Sequence, residues 1–485
     1  MISKTVTNQI ISIIGRENYF DSDEDKIAYS YDATPILRQT PHGIAKPTNV
    51  EQISQLVKLA NDAKFSIVAR GSGTGLSGGS IPVEDSIVLA TQHWNKILEL
   101  DESNLSLLVE PGVITSNIHS FVEKKDLFYP PDPGSMTIST IGGNVAENSG
   151  GLRGLKYGVT KNYILGLEVV LPSGEIVFCG NKNMKDVAGY NLKDHFVGSE
   201  GTLGIFTKIL LKLIPKPNYV KTLLVYFDSN NDAAKAVSQI ISSKILPCTI
   251  EFIDKTTINC IESYSKLGLQ TDKESLLLIE LDGHKIVVDE DLEKIKVICE
   301  QNKSSTLIIA QNEVEAVKLK MARRIAFSSL ARIKPTTILE DVSVPRSELP
   351  KMLEKIENIS KENNVLIGNF GHAGDGNLHP TILTNENDKL EFKNAEIAFD
   401  LIMNESIKLG GSITGEHGTG LVKKKFLPDM VGKSAIDTMQ KIKSALDPNS
   451  VLNPGKIFSL KPKCEGSLPQ KNDQIKKFVA QGAWI

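Results

Sequence analysis

Three glycine-rich blocks in the first 205 residues constrain this chain most. They read Arg70-Gly-Ser-Gly-Thr-Gly-Leu-Ser-Gly-Gly-Ser80, Thr140-Ile-Gly-Gly-Asn-Val-Ala-Glu-Asn-Ser-Gly-Gly151 and Val197-Gly-Ser-Glu-Gly-Thr-Leu-Gly-Ile205. Glycine lacks a Cβ, so its backbone can approach a ligand closely and adopt positive φ. Successive free N–H groups can then form a concave anion site. One such block fits an ordinary loop. Three of them, next to apolar β-branched stretches, point to a large phosphorylated cofactor wrapped by loops.

The first block fits neither of the two common nucleotide motifs. No Lys-Ser or Lys-Thr follows its glycines, as a P-loop requires. A dinucleotide fold needs a helix directly after the glycines, and Pro82 opposes one there. Arg70 adds a fixed positive charge suited to a pyrophosphate.

A chain of 485 residues has room for about three domains. A net charge of −3 gives no reason to expect nucleic acid. Cys179, Cys248, Cys260, Cys299 and Cys464 are widely spaced and form no Cys-x-x-Cys. A zinc ribbon or an in-chain iron–sulfur cluster is therefore not expected. Reduced thiols fit a cytoplasmic protein, with a peripheral place at the inner membrane left open. No apolar run reaches the ~18 residues of a transmembrane segment.

Periodicity orders the elements. Ile53, Leu56, Val57 and Ala60 recur at helical spacing over 50–63, with Asn49 as N-cap. Residues 66–69, 105–109, 164–171 and 205–213 read as strands. Pro215-Lys-Pro217 then marks a boundary. Beyond it, strands are expected at 221–227 and 276–281, and helices at 231–243, 289–302, 313–330 and 347–363. The expected division is an N-terminal helical segment (1–44), a cofactor domain (45–215), a second domain (216–445), a C-terminal return (446–460) and a polar tail (461–485).

The chemistry lies in the second half. Gly371-His-Ala-Gly-Asp-Gly-Asn-Leu-His379 places a turn between two strand-like arms, which brings His372 and His379 together. Gly415-Glu-His-Gly418 follows later. Two imidazoles and the Glu416 carboxylate make a three-ligand site for a divalent metal with open positions. Zinc, manganese and iron all suit that donor set.

The stretch Pro130 to Arg153 resembles the FAD-binding domain of the vanillyl-alcohol oxidase / p-cresol methylhydroxylase superfamily. So do Leu155-Lys-Tyr-Gly-Val-Thr160, Lys185-Asp-Val-Ala-Gly-Tyr190 and 197–205. Within it the chain looks most like bacterial glycolate oxidase flavoprotein subunits and FAD-linked D-lactate dehydrogenases. The resemblance runs from about Ala45 to Phe458. It implies an α+β chain with a two-part FAD-binding domain of the p-cresol methylhydroxylase type and a ferredoxin-like α+β cap. Residues 70–80 contain no His, so it implies non-covalent FAD. The cofactor contacts it implies are Arg70, Gly71, Ser72, Gly73, Thr74, Gly75, Asp132, Ser135, Gly142, Gly143, Asn144, Asn148, Gly151, Gly158, Ile205 and Asn453.

The resemblance also implies metal at His372, His379 and Glu416, and His417 as base. The segment Lys320-Met-Ala-Arg-Arg-Ile-Ala-Phe327 matches the family stretch that supplies a carboxylate-binding arginine, here Arg323. Arg323 and Arg324 are adjacent on an expected helix, so at most one should face the site. Arg324 is expected on the solvated face, and Arg332 and Arg346 are weaker candidates. Lys423-Lys-Lys425 reads as a solvated basic turn.

The implied reaction is oxidation of a small 2-hydroxy acid, glycolate or D-lactate, with metal-assisted loss of the hydroxyl proton and hydride transfer to flavin N5. D-2-hydroxyglutarate, a non-catalytic electron-transfer role and a metal hydrolase are the rivals. An iron–sulfur subunit, an electron-transferring flavoprotein, quinone or oxygen could take the electrons.

Overall fold

The 50–63 segment shows how sequence dictates local structure. Helix Val50–Ala63 starts at Asn49, whose side chain accepts from Gln52 N at 2.9 Å. It stops where Lys64 turns left-handed. Its buried stripe of Ile53, Leu56, Val57 and Ala60 packs on the first sheet. The computed structural model describes residues 2–459. The tail 461–485, with Cys464, lies outside the described residues.

The first sheet has four strands in the order Tyr19–Phe20, Gly43–Ala45, Ser86–Ala90, Ser66–Arg70. Residues 1–44 were expected to be helical. They carry helices Lys4–Ile14 and Asp23–Ala28, but they also supply the edge strand Tyr19–Phe20, paired antiparallel with Gly43–Ala45. Tyr19 is the reason: its ring is buried against Gly43, which has no Cβ to obstruct it. The sheet is completed from far along the chain. Ile67 N donates to Val451 O at 2.8 Å, and Asn453 N to Ile67 O at 2.9 Å. Val451 and Leu452 join the same core.

The second sheet is antiparallel, in the order Ile97–Asp101, Ser106–Val109, Ile205–Lys212, Ile164–Val170, Ile176–Gly180. The first and third glycine blocks leave the ends of strands Ser66–Arg70 and enter Ile205–Lys212. Both therefore open onto the space beside these two sheets.

The cap is built on an eight-stranded sheet, and all its printed pairings are antiparallel. Its strands are nearly continuous apolar runs because helices cover both faces. Leu223, Val225 and Phe227 point to helices Asn230–Ser242, Lys285–Gln301, Leu349–Glu362 and Lys389–Lys408. Leu224 and Tyr226 alternate to the other face, under Lys255–Ser265, Glu313–Arg324 and Ala326–Leu330. The continuous helix expected over 313–330 is broken at Ile325.

Candidate active site

One cavity of about 810 Å³ lies between the glycine blocks and the cap. Arg70 to Gly75, Ser135, Gly142, Gly143, Asn144 and Ile205 line it from one side. Arg323, His372, His379, Glu416 and His417 line it from the other. The wall is shaped for close approach. A Cβ at Gly134 would meet nothing within 4 Å, and at Gly75 and Gly201 the nearest atom is 3.8 Å away. Open space over three glycines is what a wrapped cofactor requires.

Gly73 has another task. Its φ is +72°, and a Cβ there would strike the Arg70 guanidinium. Arg70 lines the cavity while donating to Tyr31 O at 2.5 Å and facing the Tyr29 ring at 5.5 Å. Gly75 is therefore the cleaner probe of the cavity. Gly75→Val should leave the fold intact and weaken FAD retention roughly tenfold or more, the effect of about 1.4 kcal/mol. The flavin-to-protein absorbance ratio of purified, folded variant measures this. A wild-type ratio would place the cofactor elsewhere.

Five expected cofactor contacts are not on this wall. Asp132 is buried and turned to Arg153, with its Oδ1 accepting from Arg153 N at 3.1 Å. Burial pushes its carboxyl up to about 6. Asn148 ends helix Ile141–Glu147 in a left-handed conformation and accepts from Lys161 N. Gly151 lies against the Asp132 backbone and Gly158 against Asn162, both at positive φ. Asn453 donates to Gly79 O at 2.8 Å and Glu200 O at 2.7 Å. It ties two cavity loops together from behind.

The histidines come from a hairpin, Leu366–His372 and Asn377–Thr384. Its register sets Phe370 opposite His379 and His372 opposite Asn377. His372 and His379 therefore share one face, with ring centroids 5.1 Å apart. Glu416 Oε1 completes the group at 3.2 Å from His372 Nε2 and 3.4 Å from His379 Nε2. The second ring nitrogens are held from behind. Glu251 lies 2.6 Å from His372 Nδ1, and Glu340 O lies 3.3 Å from His379 Nδ1. Metal-binding imidazoles are oriented in this way. The three ligand atoms lie within 4.8 Å of one another, so the residues fit a divalent cation. The charges agree. Burial drives the Glu416 carboxyl up, but His372 outweighs it and holds the group well below the ordinary range. Burial drives His372 down, yet Glu251 and Glu416 raise it well above the usual imidazole value.

Asp341 also lies near His379 and His417, but its oxygens are committed. Oδ2 accepts from Thr414 Oγ1, Gly415 N, Glu416 N and His417 N at 2.7–3.0 Å. Lys423 Nζ adds a contact at 3.3 Å. Lys423 is buried, contrary to the solvated turn expected for 423–425, because it neutralises Asp341. Burial pushes Asp341 up, but Lys423 and the imidazoles outweigh it and leave its carboxyl well below the ordinary range.

His417 stacks on His379 at 5.1 Å with an interplanar angle of 12°. Burial pushes its imidazole down to about 4, which leaves it neutral at neutral pH. Its Nδ1 is buried, 3.9 Å from Asp341 Oδ2. Arg323 ion-pairs through Nε with Glu251 and lies over Phe370, 4.6 Å from the ring centroid. Its terminal nitrogens remain for a ligand. Arg324 is exposed, as expected, while also bordering the cavity. The helix ends at Arg324, so the buried Arg323 and the exposed Arg324 both border the cavity from its last turn. Arg332 and Arg346 are not on the wall. Arg332 lies over Tyr264.

Sequence reasoning missed Glu147, Glu200, Glu251 and Asp341. Glu147 and Glu200 carried a signal, since each is a carboxylate inside a glycine block read as an anion site. Glu251 and Asp341 carried none, because they sit in no motif.

Family matches define the class, the FAD-linked oxidases. Residues 41–180 match an FAD-binding domain family, and residues 216–457 match the C-terminal domain of FAD-linked oxidases. The chain belongs to the FAD-linked oxidase family and is an FAD-dependent oxidoreductase. It is 51% identical over 459 residues to the glycolate oxidase subunit GlcD of Bacillus subtilis, covering 95% of this chain and 98% of that one. It is 34% identical to a D-lactate dehydrogenase of Anaerostipes hadrus, covering 90% and 93%. A solved structure of p-cresol methylhydroxylase shares the fold, with a TM-score of 0.80 at 18% identity over 94% and 97% of the two chains. No helix among the described residues is long and apolar enough to cross a membrane.

Proposed function

We propose that the protein oxidises a small 2-hydroxy acid, glycolate or D-lactate, to the 2-oxo acid. The observation that carries this reading is one cavity. It holds a cofactor cradle, a guanidinium, a neutral imidazole and a two-histidine, one-carboxylate group.

The chain's own residues divide the work. Arg323 holds the substrate carboxylate through its terminal nitrogens, while Glu251 and Phe370 fix the plane of its guanidinium. Both restraints orient C2 as well as bind it. His417 takes the hydroxyl proton. Nδ1 is buried, so Nε2 is the accepting atom. A divalent cation on His372, His379 and Glu416 would make the hydroxyl more acidic. Bound FAD supplies the hydride acceptor at N5. Electrons then leave to a separate acceptor. An iron–sulfur subunit, an electron-transferring flavoprotein and quinone all remain candidates. The setting we favour is cytoplasmic.

Arg324 on the wall keeps a second reading alive, a longer dicarboxylate such as D-2-hydroxyglutarate. One experiment decides between these. Purified protein is mixed anaerobically with D- and L-hydroxy acids, and flavin bleaching is followed. Glycolate or D-lactate should bleach it fastest. Faster bleaching by D-2-hydroxyglutarate transfers the assignment, and no bleaching by any acid sinks the catalytic reading. The same preparation should hold one divalent ion per chain, lost in Glu416→Ala with FAD retained. Active enzyme without stoichiometric metal removes the cation from the scheme.

A further inference from the structure

The glycine block at 197–205 contains an acid where an anion site should repel one. Glu200 is buried on the cavity wall, and both its oxygens are turned away to the cap. Oε1 accepts from Thr419 N at 2.7 Å, and Oε2 accepts from Gly420 N at 2.7 Å. Those amides lie just beyond Glu416 and His417. The first glycine block holds the same segment, since Ser77 O accepts from Leu421 N at 2.8 Å. From the cap side, Asp341 Oδ2 accepts from the amides of Gly415, Glu416 and His417.

The segment from Gly415 to Leu421 is thus strung between two carboxylates, one per domain. Its glycines let it lie close. Gly418 has φ +84°, and a Cβ there would strike the Glu147 carboxylate. Gly420 has φ +51°, and a Cβ would strike Ser77 O. Glu147 is itself buried with Oε2 unpartnered, so the clamp falls to Glu200.

We propose that Glu200 is a positioning residue. It sets the distance of Glu416 and His417 from the cofactor loops, so the cofactor cradle and the reacting groups form one rigid unit. Only a carboxylate can do this at that point. Each of the two N–H groups has its own Glu200 oxygen, and an amide would keep one oxygen and turn a conflicting NH2 to the other N–H. The inference rests on the proposed reaction for its kinetic consequence. The clamp itself stands on the hydrogen bonds.

The test uses FAD-loaded full-length protein and two variants, Glu200→Gln and Gly418→Ala. The first removes one acceptor without changing volume. The second keeps the Glu200 carboxylate and pushes the segment away from the cofactor loops, because its Cβ would meet Glu147 and Glu200 Oε1. Amide hydrogen exchange over 413–426 should accelerate in both, while the flavin spectrum and flavin content stay as in the wild type. In stopped flow with glycolate and D-lactate, the limiting rate of flavin reduction should fall about 10–100-fold, with a much smaller change in substrate dissociation constant. Unchanged exchange in 413–426 overturns the proposal. So does loss of flavin together with accelerated exchange across the whole chain in both variants, which marks a general structural role. If no hydroxy acid reduces the wild-type flavin, the functional reading fails, and the exchange measurement still decides the clamp.

Discussion

Replacing His417 with alanine should slow flavin reduction by about a hundred- to ten-thousand-fold, while substrate still binds. The structure makes this substitution clean. The His417 backbone amide, not its ring, is what Asp341 holds, at 2.9 Å. Nδ1 has no hydrogen-bond partner, so losing the ring orphans no buried donor or acceptor. What disappears is a neutral imidazole stacked on His379. Stopped-flow reduction over a substrate series separates rate from affinity. A normal limiting rate would remove His417 from the reaction.

Arg323→Ala should do two kinds of damage. Substrate binding loses a charge-assisted contact, which is worth about 1.5–3 kcal/mol, or roughly 10–100-fold in dissociation constant. Folding stability should fall as well, because Glu251 is fully buried and loses one of its two cationic partners. Orphaning a buried charge costs ~3–5 kcal/mol, and His372, 2.6 Å from the same carboxylate, places this case at the low end. Arg323→Lys separates the two effects. It returns the charge beside Glu251 but not the planar fork, so stability should largely recover while affinity should not. Chemical denaturation and flavin titration with substrate read the two quantities. A wild-type dissociation constant in Arg323→Ala would remove the anchor, and full recovery of both in Arg323→Lys would reduce it to a point charge.

What the sequence made legible was what short-range physics controls. Asn49 and the spacing of Ile53, Leu56, Val57 and Ala60 are a complete local description of one helix. The turn between His372 and His379 spans only a few residues, so their meeting could be read from the chain. Arg323 and Arg324 show where local reasoning stops. Helical spacing places them on different faces, and Arg323 is indeed buried and Arg324 exposed, but the helix ends at that point and both border the cavity. Lys423 shows the same limit differently. Its surroundings in sequence are basic and polar, and its burial depends on Asp341, 82 positions earlier. Asn453 was expected against the cofactor, because its segment does return to the cofactor domain. Its side chain donates to two cavity loops, at Gly79 O and Glu200 O, an arrangement that only the register with Ile67 decides.

That returning segment also bears on biosynthesis. Asn453 fastens Gly79 from 374 positions downstream, and Val451 closes the first sheet against Ile67. At ~5–20 residues per second the ribosome needs about 20–75 s to cover that interval. For that time the cradle's loops exist without their rear fastening, beside an unfilled seam in an apolar core. The rear fastening of the cradle therefore forms only after the C-terminal segment has emerged, long after the glycine blocks leave the tunnel.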